Sequence, residues 1–361
     1  MMNYQINHIE ELVSPLIADQ DFPHSLVLDL IECRIEVKSN SRPLIGKLET
    51  YFHAFLSDTR NSDVTVLALE STNLELRVPF EVKQPDPGKT KIKEEFIDLF
   101  GGRVIRKRLT GMTFIFGGEL NLAVGRCFDN ANQVINFVNN RFIAKLLNQN
   151  ALLGHSAAVK WGNRGMAMAG FSGMGKSTLA LQMMSLGASY VSNDRLLIQP
   201  LYEGLRMYGV PKLPRINPGT AMNNKDLHGV LSAEDLDRFS QLPKEELWDL
   251  EYKHDVFIDE CFGKGKFELE GWVDVLVILN WERNNQPLVI EEVKLDQRRD
   301  LLRAFMKEPG LFYVPGTIPP DLSAEAYIKA FERVKVMEFS GGADSEAAAR
   351  VCVELLEKPK G

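Results

Sequence analysis

The strongest chemical pattern in this 361-residue chain is the run Gly170-Phe171-Ser172-Gly173-Met174-Gly175-Lys176-Ser177. In a Gly-x-x-x-x-Gly-Lys-Ser spacing the glycines let backbone N–H groups curl around phosphate oxygens. The lysine reaches the outer phosphates, and the serine hydroxyl can ligate a divalent cation. The alternative is a glycine-rich turn with no ligand, and the flanking residues argue against it. Gly165-Met166-Ala167-Met168-Ala169 reads as a short buried strand, and Thr178 to Met184 reads as a helix whose positive end faces the loop. The spacing therefore predicts an ATP and Mg²⁺ site made by Gly170, Ser172, Gly173, Met174, Gly175, Lys176, Ser177 and Thr178.

Two further residues stand near the loop in sequence. Asp194 lies in Ser192-Asn193-Asp194-Arg195, after the apolar run Ala188–Val191, where a strand-end carboxylate can touch Mg²⁺ or an acceptor hydroxyl. Without the loop upstream, Asp194 would be read as a residue that merely ends a strand in a turn. His155, in Leu153-Gly154-His155-Ser156-Ala157, comes one strand before the loop. It is either a structural hydrogen-bonding group or a second candidate for proton handling. Ser177 and Asp194 are the expected metal ligands; Asp194, His155, Lys176 and Arg215 are the expected catalytic residues.

Arg215 and Lys212 come from Pro211-Lys212-Leu213-Pro214-Arg215-Ile216-Asn217-Pro218-Gly219-Thr220, whose three prolines make a rigid loop. Such an arginine can steady a phosphoryl group in transit; solvated surface charges explain the tract equally. In the polar cluster Trp248 to Val256, Lys253 is a phosphate contact or a residue of a solvated edge strand. His228 and His254 read as structural.

The elements that must position these groups fall into two parts. Residues 1–100 read as a smaller α+β module, with strands at 25–37 and 63–69 and a helix at 43–56. Gln84-Pro85-Asp86-Pro87-Gly88-Lys89 is its linker or turn. Residues 101–361 read as an α/β nucleotide-binding domain. It opens with strands at 104–109, 112–116 and 119–125, then a helix at 130–148 capped by Asp129. Strands follow at 188–192 and 272–280, and helices at 295–307, 321–334 and 343–356, with Ser323 and Asp344 as caps.

Bulk properties narrow the class. A net charge of -7 opposes a general nucleic-acid binder, which carries a basic field. The four cysteines (33, 127, 261, 352) are scattered, without zinc or disulfide spacing, and read as reduced thiols. Without a basic, apolar leader or a membrane-length apolar run, the expectation is a cytoplasmic protein with no membrane partner. No motor or transport ATPase signature is present, since Val273–Leu279 runs into Asn280-Trp281-Glu282 rather than an aspartate.

Three segments taken together, His155-Ser-Ala-Ala-Val, Gly170–Ser177 and Val191-Ser-Asn-Asp194-Arg, resemble the catalytic domain of HPr kinase/phosphorylase, and within it the HPr-kinase-related kinases of the B-type group. The likeness is strong over residues 150–200, weaker as far as Gly219, and absent from the N-terminal module. It implies a phosphate-loop fold of the HPr kinase and phosphoenolpyruvate carboxykinase type. It also implies ATP, Mg²⁺, a closed homo-oligomer, and transfer of a phosphoryl group to a hydroxyl on a protein or a small molecule. The family carries two consecutive aspartates where this chain has Asn193-Asp194. The first of these is the family's acid/base, and an amide has no titratable proton to replace it. The resemblance thus favours a kinase with doubtful phosphorylase activity. A nucleotide sensor that has lost its chemistry is the competing class.

Overall fold

The computed structural model describes residues 7–358 except 60, 73–75, 77, 86–89, 244–245 and 248–249. Most of the expected linker (Asp86 to Lys89), together with Trp248 and Asp249, therefore lies outside the described residues. The fold is mixed α/β, in two compact units. One comprises residues 1–148 with 309–319, the other 149–308 with 320–361.

The first unit is built on a nine-stranded sheet ordered β3-β1-β2-β4-β9-β8-β7-β6-β5. Its strands are β1 (His24–Asp29), β2 (Arg34–Ser39), β3 (Leu56–Ser57), β4 (Val64–Glu70), β5 (Glu81–Val82), β6 (Glu94–Leu99), β7 (Gly102–Lys107), β8 (Thr113–Gly117) and β9 (Leu120–Gly125). Its helices are α1 (Ile9–Ile17), α2 (Arg42–Tyr51) and α3 (Ala131–Asn148). Alternation along β8 fills both faces: Ile115 packs with Ile9, Leu12 and Val13 of α1, while Phe114 and Phe116 meet Phe137 of α3. Phe312, from the later segment of this unit, packs on the same three rings.

Two expectations are corrected here. The boundary near residue 101 falls inside the β6–β7 hairpin, where Leu99 pairs with Gly102, so β7, β8, β9 and α3 belong to the first unit. Composition changes at residue 101, but hydrogen bonding continues across it. The single strand expected at 25–37 is a hairpin, because Ile31 takes φ +72° and the Asp29 carboxylate accepts from the Ile31 N–H at 3.2 Å. A β-branched residue rarely sits there, so the turn carries no glycine or proline signal.

In the second unit a six-stranded sheet runs β13-β11-β12-β19-β21-β20. These are β11 (Ser156–Trp161), β12 (Arg164–Gly170), β13 (Ser189–Ser192), β19 (Val275–Leu279), β20 (Leu288–Glu292) and β21 (Lys335–Gly341), with β12, β19 and β21 parallel. Both faces are apolar by strict alternation. Ala157, Val159, Met166, Met168, Val275 and Val277 pack under α4 (Lys176–Ser185) and the helix Ser345–Glu357. Ala158, Ala167, Ala169, Leu276 and Ile278 face Phe305, Tyr327 and Phe331. A four-stranded sheet, β10 (Leu152–Gly154), β14 (Leu196–Pro200), β15 (Leu205–Gly209) and β18 (Glu270–Trp272), adds to the second core.

Ser323 and Asp344 cap their helices as expected, accepting from Ala326 and Ala347 at 3.3 and 2.9 Å. Asp129 instead pairs with Arg126 at 2.8 Å. The helix expected at 295–307 shrinks to Arg299–Leu302. Among the described residues, no helix is long and apolar enough to cross a membrane.

Candidate functional site

Strand register brings three distant sequence segments to one end of the six-stranded sheet. β11 runs antiparallel to β12, so Ser156 at its start faces Ala169 at the end of β12. β13 runs antiparallel to β11, and its last residue, Ser192, faces Ala158. His155, the loop after Gly170 and the turn after Ser192 therefore emerge side by side. Each is locally fixed. Gly154 lets the Phe305 ring lie against the strand, since a Cβ there would stand 2.3 Å from that ring. The His155 N–H donates to the Phe305 carbonyl at 2.6 Å. The buried Ser192 hydroxyl closes the Asn193-Asp194 turn by donating to the Arg195 carbonyl.

The loop takes the shape its residue types imply. Gly173 and Gly175 hold φ +86° and +84°, a region that side chains avoid, and α4 starts at Lys176 with no side-chain cap. Among the described residues, no side chain caps its first N–H groups. Lys176 is 8% exposed, and its ammonium donates to the Gly170 carbonyl at 2.7 Å. Burial lowers its pKa to about 8, against an opposing pull from Asp194. The Trp281 indole donates to the Met174 carbonyl at 2.8 Å and ties the loop to the end of β19.

A cleft of about 1090 Å³ opens along this loop. Ser172 to Gly175 and Thr178 line one side; Asn217, Thr220, Trp281 and Gly342 to Glu346 line others. The Thr178 and Thr220 hydroxyls are 3.2 Å apart. Ser177 is half-buried in the first turn of α4.

The second cluster centres on Asp194. His155 Nε2 lies 3.5 Å from its Oδ1, while Lys212 Nζ and Arg195 Nε lie 3.6 and 4.0 Å from its Oδ2. Burial pushes the Asp194 carboxyl up, but Lys212, His155, Arg195 and Lys307 together outweigh it and hold the carboxyl below its ordinary value. His155 is lowered to about 4, by burial first and then by Lys176, Lys307 and Arg195. It is therefore neutral at pH 7, and Lys212 and Arg195 are the cations that keep Asp194 ionised. Among the described residues, the buried Asn193 Oδ1 beside it has no hydrogen-bond partner.

Arg215 stands apart from this group. Strand β16 (Arg215–Ile216) pairs with β17 (His254–Asp255), and Arg215 is 3.2 Å from Asp255, more than half exposed. The rigid tract does deliver a cation to Asp194, but it is Lys212. Lys307 was not singled out in the sequence, since it lies in a run with helical periodicity. It arrives by backbone pairing, its N–H donating to the Leu153 carbonyl at 3.2 Å.

Among the described residues, no group of three or more His, Cys, Asp or Glu could by itself hold a metal ion.

No family model and no curated protein matches the sequence. Among solved structures, the Hpr(Ser) kinase/phosphatase from Coxiella burnetii is similar at 10% identity and a TM-score of 0.28, covering 56% of this chain and 87% of that chain. That likeness is too loose to carry an argument about the site.

Proposed function

We propose that the chain is an ATP-dependent kinase of the HPr-kinase-like type, moving a phosphoryl group to a hydroxyl. The carrying observation is the convergence at one sheet end of the Gly170–Ser177 loop, the uncapped start of α4 and the His155–Asp194 pair. In this reading the loop and α4 N–H groups cradle the phosphates and Lys176 offsets their charge. Mg²⁺, held by the nucleotide with Ser177 and Asp194, would neutralise charge on the phosphate oxygens.

The acceptor hydroxyl is oriented by Asp194, with neutral His155 alongside. The new bond joins the acceptor oxygen to the γ-phosphorus as the bond to the bridging oxygen of ADP breaks. The acceptor proton passes to Asp194 or His155 and then to water. Neither is a strong base here, which suits a loose transition state that depends mainly on positioning and charge. Asn193 cannot return a proton, so phosphorolysis is disfavoured.

The same weak basicity also favours a second reading, a nucleotide sensor without transfer. Incubating γ-labelled ATP and cell extract with wild type, Lys176→Ala and Asp194→Asn separates the two. A kinase yields a labelled product that both variants lose, while a sensor yields none. We also propose a closed homo-oligomer, which light scattering at micromolar concentration checks against a ~41 kDa monomer.

A further inference from the structure

Met174, in the middle of the phosphate loop, is tied at both of its backbone groups. Its N–H donates to the Phe171 carbonyl at 3.2 Å. Its carbonyl accepts from the Trp281 indole N–H at 2.8 Å, across 107 residues of sequence. Trp281 is anchored to the sheet rather than to the loop. The N–H groups on either side of it, those of Asn280 and Glu282, donate to the Phe339 and Gly341 carbonyls, each at 2.8 Å. The Trp281 side chain is 5% exposed and packs in one core with Phe339 and Met174.

The bond from the indole sets more than the place of the loop. In a trans peptide the C=O and the following N–H point in opposite directions. With the Met174 carbonyl turned to Trp281, the Gly175 N–H is turned away from the indole, and no group among the described residues accepts from it. This is also the peptide most free to turn over. A half-turn of the Met174–Gly175 peptide reverses the sign of the Gly175 φ, now +84°, and glycine takes both signs at similar cost. A residue with a Cβ would favour one sign by itself; glycine favours neither, so the choice falls to the Trp281 hydrogen bond.

Resting on the phosphate-loop part of the kinase reading, we infer that Trp281 is a positioning residue for the polyphosphate chain. Its indole N–H holds the Met174–Gly175 peptide so that an N–H, and not a carbonyl oxygen, is presented to the phosphates. Successive N–H groups make an anion-binding hollow, and one peptide turned over puts a negative dipole end into it. Trp281 acts through the Gly175 N–H and not by contact with phosphate.

The test measures binding of Mg²⁺–tripolyphosphate by calorimetry, which reports the phosphate chain without base or ribose. Wild type is compared with Trp281→Phe, with Lys176→Met, and with a protein carrying β-(3-benzothienyl)alanine at position 281. That amino acid keeps the bicyclic shape of tryptophan and has sulfur in place of the N–H. One net hydrogen bond corresponds to roughly two- to tenfold in an equilibrium, so affinity should fall about threefold or more in both position-281 variants. The benzothienyl protein should keep the circular dichroism spectrum of wild type. It is the deciding variant, because Trp281→Phe alters packing as well as the donor. A benzothienyl protein that binds within threefold of wild type overturns the inference, even where Trp281→Phe binds poorly, since packing and not the N–H would then be responsible. If Lys176→Met loses binding in that case, the phosphate site stands without the inference. If wild type itself binds no tripolyphosphate, the phosphate-loop reading falls and the inference falls with it.

Discussion

Replacing Lys176 with methionine removes a cation that folding holds away from water. Burial brings its pKa from 10.5 to about 8. At ~1.4 kcal/mol per pH unit this displacement amounts to about 3 kcal/mol of destabilisation at neutral pH. The hydrogen bond to the Gly170 carbonyl gives back roughly 1.5–3 kcal/mol, so the net change at pH 7 is small and its sign is a poor test. The pH dependence is the better one. Between about 8 and 10.5 the unfolded lysine binds a proton that the folded one has lost. Wild-type stability gains as pH rises through that window, and methionine cannot share the gain. Urea unfolding of both proteins at pH 7.5 and 10 should therefore show the difference moving toward wild type by most of about 3 kcal/mol. Other titrating groups cancel in the difference. Parallel pH dependence of the two proteins would refute the strained-cation account. If the kinase reading holds, ATP raises the unfolding midpoint of wild type and leaves the variant unmoved.

The same protonation states predict that kcat/KM for ATP falls above about pH 8 as Lys176 loses its proton, and falls again toward pH 4 as His155 gains one. Saturating ATP should move the alkaline limb of kcat upward, because bound phosphate favours the charged amine. Arg215→Ala should leave kcat/KM within about threefold, while Lys212→Ala should cost at least about tenfold, read from steady-state kinetics. Gly154→Ala forces the buried Phe305 ring away from a Cβ that would stand 2.3 Å from it. Such overpacking should lower stability by about 1–3 kcal/mol in urea unfolding.

Much of the second unit was legible because its residues repeat a simple period. Alternation along Ala157–Val159 and Val275–Leu279 marks strands buried on both faces, and the loop glycines mark backbone that side chains cannot follow. The first unit was less legible at its joints. The Ile31 turn hides in apolar residues. The β6–β7 hairpin turns where composition suggests a new domain, because strand pairing is a long-range property that composition does not record. Phe312 joins the first core from far along the chain, and no local pattern announces that.

At the site, sequence supplied the residue types but not the distances that set their chemistry. Lys212 and Arg215 lie three residues apart in one rigid tract and look interchangeable. Pairing of β16 with β17 gives Arg215 to Asp255 and leaves Lys212 at Asp194. That difference changes what Asp194 can do. A carboxylate ringed by Lys212, Arg195 and Lys307 is held ionised, and the same cations weaken it as a base. On the kinase reading, its most effective contribution would be a fixed negative charge that orients a hydroxyl and a metal, with proton loss left until the phosphorus–oxygen bond has largely formed. An amide at 193 is compatible with that chemistry. A forward kinase with a weakly basic Asp194 needs no second carboxylate beside it, whereas the reverse reaction needs a group able to hold and return a proton.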